Sequence, residues 1–142
     1  MFLTDLEDFD YKPYFKDGEL VRGKVVLENA LLWGTGSEKI AVKAGFVTDL
    51  ASLPWFASIM FKKPGKTQRA AVLHDWLYRN NINSTNPPHH YRNFNNKKWS
   101  DAQFNKAMKQ DGVRRWRRYL IIAGLTVGGH KAWNYPAKAV IV

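Results

Sequence analysis

Residues 39–54, KIAVKAGFVTDLASLP, carry the change of period that decides the fold. Ile40, Val42 and Ala44 alternate with Lys39, Ala41 and Lys43, the two-residue period of a strand with one buried face. A second apolar stretch, Phe46-Val47-Thr48, ends in an acid, Asp49. The chain then reaches Pro54, a residue tolerated at the first position of a helix. A short helix is expected from there to Phe61. Upstream, Leu20, Val21, Val25, Val26 and Leu27 form another strand-like run, and Gly34-Thr35-Gly36-Ser37 is a turn signal. Two or three antiparallel strands are expected in the first third of the chain.

Downstream the period becomes helical. Thr67 is placed to cap a helix running to about Asn80, with Ala70, Ala71, His74, Leu77 and Tyr78 on one stripe. Residues 81–98 are rich in Asn, with two Pro and two His, and read as a long polar loop. Ser100 followed by Gln103 has the spacing of a capping box, opening a third helix through Phe104 and Met108 that Asp111-Gly112 ends. A last helix is expected from about Val113 to Trp133. The expected architecture is α+β: a small N-terminal antiparallel sheet followed by three to four helices. It forms a single domain over 1–142, β-rich over 1–50 and helical over 51–142.

Composition narrows the function classes. A chain of 142 residues, 45% hydrophobic and 14% aromatic, has enough apolar surface for a core and is not disordered. The absence of Cys excludes disulfides, thiolate-held zinc, iron–sulfur clusters and a thiol nucleophile. The first ten residues, MFLTDLEDFD, are acidic where a secretory leader is basic and then apolar. The most apolar stretch, residues 119–129 (YLIIAGLTVGG), is about half the ~20 residues of a membrane span, so a transmembrane protein is not expected. Charge is uneven: residues 1–59 carry a net −3 and residues 60–142 a net +13. The basic half is suited to nucleic acid, an anionic surface or an acidic partner, or serves simply as a solvated face.

Four patterns carry the candidate chemistry. Asp49 leaves a strand end, where a carboxylate binds a ligand or caps the next helix. His74 shares a stripe with Ala70, Leu77 and Tyr78 and is turned toward the core, with Asp75 about 100° further round the helix. A buried imidazole beside a carboxylate is either a hydrogen-bonded core residue or a metal or general-base arrangement. Asp101 falls on the apolar side of its helix with Phe104, Asn105 and Met108, so it needs a buried partner. Arg114-Arg115-Trp116-Arg117-Arg118 either grips phosphates or a lipid interface, or is solvated while Leu120, Ile121 and Leu125 pack in the core. Gly124, Gly128 and Gly129 leave room for a close neighbour.

If Asp49, His74, Asp75 and Asp101 converge, they form an oxygen-rich set suited to a divalent metal such as Zn, Mg or Mn. Asp49, His74 and Asp101 would be the metal ligands, with His74 and Asp75 the candidate catalytic pair. His89 and His90 lie in the polar loop. The HExxH, GxSxG and Walker P-loop signatures are missing, and no His precedes the His74-Asp75 pair.

In this order, Phe46 to Pro54, Ala70 to Tyr78, Ser100 to Met108 and Tyr119 to Trp133 resemble the DUF1353 family of tailed bacteriophages and prophages. The resemblance covers roughly residues 40–133, and the first two motifs are its specific part. It departs in the long Asn/His/Pro-rich loop, where family members usually carry a shorter, often Arg-containing stretch. The resemblance implies phage origin and a role in the virion, or in lysis and host entry. Two readings follow. The first is a virion component (tail, baseplate or neck) or accessory protein with a buried His/Asp network. It partners other phage structural proteins, and is found in the host cytoplasm during assembly and then with the virion. The second is a metal-dependent hydrolase acting on cell-wall or nucleotide substrates.

Overall fold

The computed structural model describes residues 1–36, 39–49, 68–80, 97–134 and 138–142. The N-terminal part is a pair of hairpins. Strands β1 (Tyr11–Lys16) and β2 (Glu19–Leu27) pair antiparallel around Asp17-Gly18. Both turn residues have positive φ, 52° and 80°, the geometry of a tight turn that follows the right-handed strand twist. Strands β3 (Leu31–Gly34) and β4 (Lys39–Val42) form the second hairpin, with Leu31 opposite Val42 and Trp33 opposite Ile40. Its inward face is Leu31, Trp33, Ile40 and Val42, all buried, as the two-residue period requires. Ala44 lies past the strand end and is exposed, so the expected alternation stops at Val42.

Strand β5 (Phe46–Thr48) adds to β2, and the short β6 (Val140–Ile141) adds to β5, giving the order β1-β2-β5-β6. Gly45 makes the corner between β4 and β5. Its φ is +81°, its N–H donates to the Leu27 carbonyl at 2.7 Å, and its carbonyl accepts from the Val142 N–H at 2.9 Å. A Cβ at this position would collide with the Val142 carbonyl.

The helices are α1 (Gln68–Arg79), α2 (Lys97–Gln110), α3 (Arg115–Gly128) and α4 (His130–Asn134). Helix α1 is central, touching α2, α4, β3, β4 and β5. It is buried almost all round, and only Asp75 and Arg79 are partly exposed. One apolar cluster runs from Trp33 and Phe46 through Leu73 and Phe104 to Ile121 and Leu125, joining sheet and helices. Among the described residues, no helix is long and apolar enough to cross a membrane.

Several boundaries differ from expectation. Helix α2 begins by Lys97 and Ser100 is buried inside it, so Ser100 is not its cap. The C-terminal helix is two helices meeting at Gly129, whose N–H caps the Leu125 carbonyl at 2.9 Å. The expected Pro54 helix, the Thr67 cap and His89 and His90 lie outside the described residues.

Candidate functional site

The site is built around Asp101 in the first turns of α2. Its Oδ1 accepts from Tyr78 Oη at 2.6 Å and faces His74 Nε2 at 3.1 Å, both on α1. Its Oδ2 accepts from Lys97 Nζ at 2.8 Å, one turn earlier on α2. The same ammonium donates to the Leu125 carbonyl of α3 at 2.6 Å. Rings close over these bonds. His74 lies between Tyr78 and Phe104, with centroids at 4.1 and 4.5 Å, and the edge of Trp133 from α4 meets Tyr78 at 5.3 Å. Asp101 thus bonds α1 to α2, Lys97 extends the bonding to α3, and the Tyr78–Trp133 contact brings in α4.

The electrostatics follow from this geometry. Burial alone would raise the Asp101 pKa, but hydrogen bonds from His74, Lys97 and Tyr78 outweigh it and hold the carboxyl below its ordinary value. Tyr78 is pushed far upward, first by burial and then by its bond to Asp101, so it stays protonated and donates. Since Asp101 is ionised, His74 must carry a proton on Nε2 to donate to it. Three donors occupy most of the roughly four acceptor positions of a carboxylate. The side chains of His74 and Asp101 are 3% and 8% exposed. Such a carboxylate is a poor base: protonating it would break a satisfied network in a water-poor place.

Gly129 belongs to this arrangement. A Cβ there would come within 2.9 Å of Lys97 Cε and 3.2 Å of Tyr78 Oη, besides striking the Leu125 carbonyl. The expected need for a close approach thus holds at Gly129, whereas at Gly128 an added Cβ would meet nothing.

Asp75 points elsewhere. Its Oδ2 accepts from Thr48 Oγ1 of β5 at 2.7 Å and its Oδ1 from Arg79 Nε at 2.9 Å. Arg79 in turn lies over the Phe46 ring at 5.8 Å. Asp49 follows Thr48 in the chain, half-buried, with a carboxylate oxygen 4.0 Å from where a Cβ on Gly23 would stand. The four expected residues thus divide: His74 and Asp101 meet between α1 and α2, while Asp75 and Asp49 go to the β5 side. Among the described residues, no three His, Asp or Glu side chains gather so as to hold a metal ion.

Two participants, Tyr78 and Lys97, are not singled out by the sequence. Tyr78 was placed on the apolar stripe but not as a donor. Lys97 falls in the polar loop by composition, although its spacing of four residues before Asp101 is an ion-pair spacing on a helix. A second buried pair joins Arg69 to Asp111: Nη2 and Nε lie 2.5 and 2.7 Å from Oδ1, and Nη1 donates to the Thr4 carbonyl at 3.0 Å. Burial raises the Asp111 pKa and Arg69 only partly offsets this.

Fold and site together define a small α+β protein whose helices are locked by a buried Asp–His–Tyr–Lys network. Residues 25–125 match the family model described as protein of unknown function (DUF1353), and the chain belongs to that family. The matched span contains β5, α1, α2 and most of α3, and so every polar member of the network. Comparisons with curated proteins and with solved structures find no match.

Proposed function

We propose that this protein is a virion or accessory component of a tailed bacteriophage that works by docking rather than by turnover. Its His74–Asp101 network is then a structural device. The observation that carries the reading is the setting of Asp101: buried, with Tyr78, His74 and Lys97 of the protein itself against its two oxygens. A catalytic or metal-binding carboxylate keeps a position open for substrate or ion. A buried network with most of its acceptor positions filled by the protein instead rigidifies and specifies a core.

Thermal melts in EDTA and in excess Mg, Mn or Zn test this. The melting temperature is expected to be the same in all four conditions. The hydrolase reading requires a metal-dependent rise, since an ion present at 100 times its Kd adds about 2.7 kcal/mol to the folded state.

A further inference from the structure

Helix α3 is apolar on two faces. Ile121 and Leu125 enter the core. The opposite face carries Trp116, Tyr119, Leu120, Ala123 and Val127, at the spacing of one continuous stripe. Trp116 is 55% exposed, Tyr119 75%, Leu120 39% and Val127 85%. Beside it, Thr126 turns its hydroxyl back to the Ile122 carbonyl at 2.9 Å. Leu120 was expected in the core, and its place on this outer stripe is a correction. A contiguous outward apolar face of this kind marks an interaction surface.

Charge says what it meets. Residues 112–142 hold six Lys and Arg and no Asp or Glu. Arg114 and Arg115, both exposed, flank the Trp116–Tyr119 end of the stripe. We infer that the outer face of α3 is a docking surface for an anionic lipid bilayer, which names the partner within the docking reading above and rests on it. Aromatic rings beside arginines suit the headgroup layer, with aliphatic side chains reaching the acyl boundary. Two copies of this face would oppose cation to cation with no acid between them. Nucleic acid would use the arginines but gain nothing from Leu120, Ala123 and Val127.

Co-sedimentation of the full chain with vesicles of equal phosphatidylglycerol and phosphatidylcholine, against phosphatidylcholine alone, tests the inference. Binding is expected to the anionic vesicles and to weaken with salt. The Leu120→Asp/Val127→Asp double variant should bind at least about 10-fold more weakly. Arg114→Gln and Arg115→Gln should each cost about fivefold. Unchanged melting temperatures would show that these exposed substitutions leave the fold intact. No binding by the wild type, or equal binding to both vesicles without salt dependence, overturns the proposal. So does an oligomer in sedimentation velocity that the double variant dissolves, which assigns the face to a second copy. Failure here leaves the metal-independence of the His74 network standing, so the two readings fail separately.

Discussion

Asp101 is a residue whose charge state and fold support each other. Its folded pKa lies below the ordinary carboxylate value of about 3.9, so its contribution to stability is present above that pH and is lost as pH falls through the lower folded value. The wild-type melting temperature is therefore expected to drop on acidification below about pH 4. An Asp101→Asn variant, with no such carboxyl to protonate, should start lower at neutral pH and show a shallower acid limb in a pH series of melts. Tyr78→Phe keeps the ring contacts with His74 and Trp133 but removes one donor, and should cost about 1 to 2 kcal/mol in urea unfolding. Arg69→Ala leaves Asp111 as an unpaired buried acid, whose second oxygen already has no partner among the described residues, and should cost about 3 to 5 kcal/mol by the same measurement. At this scale the inward facing of His74 and Asp101 was legible from helical period. Their mutual contact was not, because period gives a direction and not a partner. Lys97 was missed because the Asn-rich run before it hid the start of α2.

Some elements were legible where one face alternates with the other, although β3, which also alternates, was not read as a strand. Helix α1 was expected through Asn80 and ends at Arg79, and β4 was read from Ile40 and Val42. Strand β1 was not anticipated. It carries Pro13, pairs with a register shift between Pro13 and Phe15, and buries no residue fully, so its sequence lacks a strand's alternation. Strand β6 has two residues and exists because Gly45 turns a carbonyl toward Val142. Gly45→Ala combines a left-handed conformation, costing roughly 1 to 2 kcal/mol, with a collision against the Val142 carbonyl. It should lower stability by more than that conformational cost alone and accelerate amide exchange at Val142. Gly129→Ala should displace Lys97 and Tyr78 from Asp101, with a stability loss comparable to Tyr78→Phe or larger.

The whole molecule places its polar bonds inside and part of its apolar surface outside. The α+β order was readable from the switch of period near Asp49. The outer stripe of α3 was not, since a helix apolar on both sides reads from sequence as one that is simply buried. Which face enters the core was decided by the packing of Ile121 and Leu125. Residues kept for function are often neutral or costly to the fold, and replacing them then leaves stability unchanged or raises it. Residues that bond α1 to α2 inside the core are not. The most direct measurement is the unfolding free energy of Asp101→Asn against wild type in urea at neutral pH. A loss of about 3 kcal/mol is expected, because the amide lacks the charge and keeps only one accepting oxygen, turning an NH2 donor against Lys97 or against His74 and Tyr78. A variant as stable as wild type, or more stable, would contradict the account and return His74 and Asp101 to the candidates for catalysis.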